Sequence, residues 1–401
     1  MTARNLYILA TASWFLAFGM QSVVFAWLVT IVLAQPAEYV GLAQTAVLAP
    51  GMALILLAGA LADRLGADRQ ALFAQLFAAL VPWLLILALD AGVLSFAVMV
   101  GYALLMGTAQ AFVTPSRDGL LNHVAQGEVQ RTILMASLGQ FTFQILGYWI
   151  AGYADRLGPT TILALQSAAL LIGVVAYEAI RRKGVVQPQP RTRSVLREVI
   201  IGARTVAKSP VMRAVVIQNV AMANFFMGCF IVCFPLMVRD VFDGSSADMA
   251  TLYGFNSLGL VLTILIMLRV GYVVRPGRAL LLAQMVGAVV LAISGLMENF
   301  TLFIAAVFVW GLCGGLAMPM SRTLMQELAP PEQRSRVMSF YGFSFFGAGP
   351  LGTLFNGYLS GAVGPRYAIV ICGLAMFVVG LIMSVTTRLW SAQMDHSEVP
   401  L

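Results

Sequence analysis

Twelve runs of about 20 or more mostly apolar residues follow one another along this chain, near 6–33, 39–62, 70–89, 94–115, 130–153, 160–180, 211–238, 248–272, 278–297, 300–322, 334–360 and 365–387. An α-helix rises about 1.5 Å per residue, so each run reaches across the roughly 30 Å hydrocarbon core of a bilayer. Hydrophobic residues make up 60% of the 401 and charged residues 10%, too few polar groups to cover that much apolar surface in water. The runs are continuously apolar, whereas strands of a lipid-facing barrel alternate with period two. The expected fold class is an all-α membrane protein with twelve transmembrane helices, and the lipid bilayer is its first partner.

The first run follows Arg4 and ends near Val32-Leu33-Ala34, a combination that imitates a cleaved signal. Its apolar length of about 28 residues exceeds the 7–15 of a signal core, so it is read as an uncleaved span. With the amino terminus in the cytoplasm, only Arg156, Arg239 and Arg366 of the 24 lysines and arginines fall outside. Both termini are then cytoplasmic, and the net charge of +7 is a topology signal. Nucleic acid is not an expected partner, because the basic residues are spread over many membrane edges.

Chemistry of other kinds finds little support. Cys229, Cys233, Cys313 and Cys372 lie in apolar runs and read as small buried hydrophobes. His123 and His396 fall outside those runs, which removes histidine-based metal and triad chemistry from the membrane. The stretch GARTVAKS at 202–209 has Ala207 where a phosphate loop needs glycine before its lysine. No enzyme activity, metal or cofactor is expected.

Residues 181–210, RRKGVVQPQPRTRSVLREVIIGARTVAKSP, form the one long polar interruption. Their second part has apolar residues at helical spacing, as an amphipathic helix on the cytoplasmic membrane surface would. The chain therefore divides into a six-helix bundle at 1–180, a linker at 181–210, and a second six-helix bundle with a short tail at 211–401. The halves match in order: Arg69 to Gln75 with Arg278 to Gln284, Pro115-Ser-Arg117 with Pro319-Met-Ser-Arg322, Leu146-Gly147 with Leu351-Gly352, and Gly158-Pro159 with Gly364-Pro365. Such a repeat is typical of secondary transporters, which bind between their halves near the membrane midplane.

The stretch GALADRLGADRQ at 59–70 resembles the loop signature of the major facilitator superfamily, Gly-x-Leu-Ala-Asp-Arg-x-Gly-Arg-Lys, in its usual place between the second and third helices. FGMQSVVFAWLV at 18–29 and TPSRDGLLNHV at 114–124 are similar to the subgroup containing the enterobactin exporter and macrolide efflux proteins. The resemblance implies a monomeric bacterial inner-membrane protein that exports a small organic compound by alternating access. It also implies that Gly59, Asp63, Arg64, Gly66 and Arg69 form a cytoplasmic gate motif, with Asp63 holding the start of the eleventh helix near Arg334 to Ser339. Pro115, Arg117 and Asp118 are expected in the loop after the fourth helix. Ala67-Asp68 stands where the signature has Arg-Lys, the fourth run reads YALLMGTAQA without the arginine many proton-driven antiporters carry before the glycine, and the fifth reads LGYWIAG where antiporters often show Gly-Pro. Those departures put antiport coupling in doubt.

Physically, Gly59 and Gly66 would allow close helix packing and a tight turn, and Asp63 would meet the positive end of a neighbouring helix. Asp68 is expected to face Arg64 and Arg69 in water and to matter little. The runs expected to line a cavity carry amides in place of charges: Gln21, Gln44, Gln140, Gln144, Asn219, Asn224, Asn256 and Asn356. Each amide serves equally as interhelical glue. Together with Trp14, Trp27, Tyr102, Trp149, Tyr253 and many methionines they suit a neutral, amphipathic or aromatic solute. Glu38 is the candidate for proton coupling, with a helix-capping role as its competitor. Two other functions fit the same residues: a lysophospholipid transporter of the same superfamily, and a receptor that binds without transport.

Overall fold

The structure is a computed structural model that describes residues 1–125, 129–184, 195–270, 273–330, 333–387 and 389–390. The described residues contain helices and turns and no strand. Nine helical stretches among them are long and apolar enough to cross a membrane. In order they are Ala3–Val32, Ala67–Asp90, Phe96–Leu121, Pro159–Arg182, Pro210–Asp240, Ser246–Arg269, Pro276–Gly295, Phe300–Leu328 and Arg336–Thr386. The helices Ala37–Leu65 and Val129–Ala151 stand between them in the chain.

Local chemistry sets the ends. Thr2 accepts from the Asn5 N–H at the first helix start, and Asn299 accepts from the N–H groups of Thr301 and Leu302. Pro159, Pro210 and Pro276 open their helices, where a missing N–H costs nothing. Gly66, Gly158 and Gly364 hold φ of +95°, +83° and +81°, a region that favours glycine. The break at Gly364 divides the 53-residue helix Arg334–Thr386 into two arms.

The packing is that of a chain dissolved in lipid. Helix Ala67–Leu80 buries Ala67, Ala71, Ala74, Ala78 and Gln75, and it exposes Phe73, Leu76 and Leu80. Small residues let helices approach while large apolar ones meet acyl chains.

Contacts divide the chain into two compact units, Met1–Val195 with Val238–Gly254, and Leu196–Met237 with Phe255–Leu401. In the first, Gly19 and Gly147 abut: a Cβ at Gly19 would lie 2.3 Å from the Gln144 carbonyl oxygen, and one at Gly147 would lie 2.2 Å from that of Leu16. In the second, a Cβ at Gly228 would lie 2.6 Å from the Gly352 oxygen, and one at Gly352 would lie 2.6 Å from that of Ala223. Ser13 accepts from Gln75 at 3.1 Å in the first unit, and Gln218 donates to Gln284 in the second. Gly147 and Gly352, like Gln75 and Gln284, are the positions the internal repeat aligns. The two units thus repeat the same internal contacts.

Two boundaries differ from the sequence expectation. Pro115, Arg117 and Asp118 lie inside helix Phe96–Val124 and not in a loop after it, because proline within a membrane helix is tolerated when neighbours support the backbone. The charged stretch 59–70 is not a loop either: helix Ala37–Leu65 runs to Leu65, Gly66 alone breaks it, and the next helix starts at Ala67.

Candidate functional site

The turn at Gly66 divides its charges between two helix ends. Arg64 lies in the last turn of one helix and Asp68 in the first turn of the next, each near the dipole end that favours it. Arg64 and Arg69 are exposed, but Asp68 is only 7% exposed and lies within electrostatic reach of Arg181. The expectation that water screens Asp68 is therefore corrected: the one-residue turn draws it inward. Among the described residues a Cβ at Gly59 would meet nothing within 4 Å, so they do not show the close packing expected there. Asp63 is in the last helical turn, and its side chain lies outside the described residues. Sequence reasoning passed over Gln70, whose amide donates to the Ala58 carbonyl at 2.8 Å and the Phe112 carbonyl at 3.2 Å. That side chain ties three helices together at the turn.

The interior amides separate by partner. Asn356 is fully buried and saturated: its Nδ2 donates to the carbonyls of Asn224 and Gly352, each at 2.8 Å, and its Oδ1 accepts from Cys233 at 3.4 Å and Cys372 at 3.0 Å. Asn224 lies in the π-helical turn Met222–Met227, where a widened backbone leaves its carbonyl open to Asn356. Asn219 donates to the Tyr341 carbonyl and to Ser344, and Asn256 to the Val307 carbonyl at 3.4 Å. These three bind helix to helix. The Asn224 side chain donates back to the Val220 carbonyl in the preceding turn, at 2.9 Å.

In the first unit Gln21 and Gln44 are buried, whereas Gln140 and Gln144 are half-buried. Gln144 donates to the Tyr148 hydroxyl at 2.5 Å, and Tyr148 stacks on Tyr253 at 5.5 Å. Trp14, Trp27 and Tyr102 are packed inside, with Tyr102 against Phe25 and bonded to Gln166, while Trp149 is 52% exposed. Glu38 occupies the first turn of helix Ala37–Leu65.

A second polar group, unsuspected from sequence, lies around the turn between Asp240 and Ser246. Asp155 accepts from the Ser246 N–H, and Arg239 donates to the carbonyls of Thr30 at 3.1 Å and Gln35 at 2.6 Å. Serine and aspartate at 245 and 248 form a capping box, with Asp248 accepting from the Ser245 N–H at 2.8 Å. That S-x-x-D pattern was readable in the chain.

Arg117 is the one site residue whose surroundings differ most from expectation. Its side chain is 13% exposed and its guanidinium stands 4.9 Å from the centre of the Phe15 ring.

Comparison with known proteins gives a consistent result. The family described as transmembrane secretion effector matches residues 2–399. The multidrug efflux pump Tap of Mycolicibacterium fortuitum is 27% identical over 357 residues, 85% of each chain. The enterobactin exporter EntS of Escherichia coli O1:K1 is 21% identical over 284 residues, which is 70% of this chain and 65% of that exporter. Among solved structures, a point-mutant form of the nucleoside transporter NupG superposes with a TM-score of 0.75 at 12% identity, over 95% of this chain and 98% of that one. At that identity the last likeness speaks for the fold.

Proposed function

This chain belongs to the transmembrane secretion effector family of major facilitator transporters, and from that premise we propose that it exports a small amphipathic or aromatic organic compound by alternating access. It is a multi-pass membrane transporter and not an enzyme. The observation that carries the mechanism is the repeated internal geometry, Gly19 with Gly147 and Ser13 with Gln75 in one unit, Gly228 with Gly352 and Gln218 with Gln284 in the other. Two like bundles are what a secondary transporter rocks about its binding site. Efflux as the direction is supported by the names of the multidrug pump and the exporter it is similar to.

Twelve spans follow if Ala37–Leu65 and Val129–Ala151 also cross and Arg334–Thr386 crosses twice about Gly364. Both termini are then cytoplasmic in a bacterial inner membrane. A reporter at Gln189 or after Leu401 should be reached only from inside, and one at Asp243 only from outside. Gln21, Gln44, Gln140 and Gln144 are the amides we assign to the solute, since Asn219, Asn256 and Asn356 are engaged between helices. Glu38 in a first helical turn supports the capping role over proton coupling.

Reconstitution into liposomes tests the reading. Saturable flux of an amphipathic aromatic dye, lowered several-fold by Gln140→Ala with Gln144→Ala, is expected. Specific binding with no flux under any imposed gradient would make the protein a receptor, and flux confined to lysophospholipid would make it a lipid carrier.

A further inference from the structure

Arg117 is a cation set into the first unit with donors left over. The carboxylate beside it, Asp118, stands 3.9 Å away and is itself 71% exposed. The Nη1 of Arg117 is buried without a hydrogen-bond partner among the described residues. A guanidinium carries five N–H donors in a planar fork suited to two oxygens of one acid group. The Phe15 ring covers one face of that fork but accepts through its π cloud and gives Nη1 no in-plane acceptor.

A second unserved group stands nearby. Tyr177 is 0% exposed, and its hydroxyl is buried without a partner among the described residues. Both Tyr177 and Tyr7 lie within electrostatic reach of Arg117 and also of Asp118, whose carboxylate is turned largely to the outside, and both belong to one apolar cluster with Leu6, Leu120 and Ile180. Helices Ala3–Trp27, Phe96–Val124 and Pro159–Arg182 therefore bring together a cation with one donor nitrogen unserved, an unserved hydroxyl, an aromatic face and aliphatic walls. Buried polar groups that find no partner within a fold call for one from outside it. A cation asks for an anion, and the apolar surroundings ask for that anion to carry an organic body.

We infer that Arg117, Tyr177 and Phe15 form a binding site for an amphipathic organic acid, its carboxylate on the Arg117 fork and the Tyr177 hydroxyl and its ring or chain against Phe15. The inference rests on the export reading and replaces the neutral solute that the amides suggest with an acidic one. Sequence reasoning missed it because it set Arg117 in an exposed loop, where a cation needs no explanation.

The test uses the full chain in nanodiscs and calorimetric titration with three probes: salicylate, its uncharged match salicylamide, and inorganic phosphate. Wild type should bind salicylate about tenfold or more tighter than salicylamide, as a charge-assisted paired contact does over a neutral one. Arg117→Gln should bring the two within about twofold, while Arg117→Lys should retain part of the preference, since lysine keeps the charge without the fork. Tyr177→Phe should weaken salicylate several-fold and leave salicylamide unchanged, and it carries the test if Arg117→Gln fails to fold. Absent salicylate binding, equal affinities in wild type, a preference that survives Arg117→Gln, or phosphate bound as tightly as salicylate each overturns the site. The export reading is tested separately by flux. Acid preference without flux keeps the site and removes export, and flux of other solutes without acid preference does the reverse.

Discussion

Asp155 and Ser246 cap one another across 91 residues of sequence: the Asp155 carboxylate accepts from the Ser246 N–H at 2.6 Å, and the Ser246 hydroxyl accepts from the Asp155 N–H at 3.2 Å. The same hydroxyl donates to the Gly152 carbonyl at 3.1 Å. Ser246 is fully buried and begins helix Ser246–Val270, so its N–H is one of the four that no helical carbonyl can serve. Removing such a cap costs about 0.5–2 kcal/mol. Asp155→Ala should therefore lower unfolding stability in detergent by that amount and expose 238–254 to protease, while Asp155→Asn, which keeps an acceptor oxygen, should lose less. Equal stability of wild type and Asp155→Ala would mean that water serves the Ser246 N–H as well.

Arg239 does at the neighbouring helix end what Asp155 does at Ser246. The first helix ends in the π-helical turn Leu28–Val32 and a left-handed Ala34 at φ +46°, which leaves carbonyls without intrahelical donors. One guanidinium nitrogen of Arg239 serves the Thr30 and Gln35 carbonyls, and the others hold Asp240 at 2.5 and 3.0 Å. A lysine cannot present that fork. Arg239→Lys should cost on the order of 1 kcal/mol and quicken amide exchange over 33–35. Exchange unchanged there would show that the backbone end holds itself.

How far the chain was legible depended on whether a signal was local and periodic. Apolar runs, the repeat and the glycines at 66, 158 and 364 could be read because lipid imposes one length and φ above zero imposes one residue type. Helix ends could not, since Phe96–Val124 continues through Pro115 and the charged and polar residues after it that sequence assigns to water. The amides were found but not sorted: only three-dimensional neighbours distinguish Asn356, with its acceptors and donors filled, from Gln21. Arg117 illustrates the same limit, because what covers the cation is Phe15, a residue remote in the chain. Asp155 and Ser246 carry no joint mark in sequence at all.

The amphipathic segment after the linker makes a contact that a single methyl group tests. Helix Val195–Lys208 buries Val199 and Val206, and at Gly202 a Cβ would lie 2.2 Å from the Arg336 carbonyl oxygen. Thr205 donates to Gln333 beside it. Backbone meets backbone there, so no side chain can swing aside. Gly202→Ala would strengthen an isolated helix by up to about 1 kcal/mol, yet in this protein it should destabilise, because the crossing must part. Thermal unfolding that rises in Gly202→Ala would indicate that the segment leaves the start of helix Arg334–Thr386 at little cost.

The turn at Gly66 separates two carboxylates that the signature alone would rank differently. The family resemblance implies a gate role for Asp63, and we propose it here: Asp63→Asn should favour the inward-facing state and slow turnover with folding largely intact. Asp68 now needs a different forecast. It is 7% exposed in the first turn of helix Ala67–Leu80, where exposed amides carry partial positive charge and Gly66 offers no side-chain cap. A carboxylate at a partly buried helix start contributes up to about 2 kcal/mol, more than an exposed loop charge. Asp68→Asn should therefore lower unfolding stability by about 1–2 kcal/mol and leave the gate equilibrium near that of wild type. Unfolding in detergent reads the first effect, and labelling of single cysteines on the cytoplasmic side of the transport path reads the second. If Asp68→Asn shifted labelling as far as Asp63→Asn, the two acids would act as one gate; if neither shifted it, Asp63 would be no more than the end of its helix.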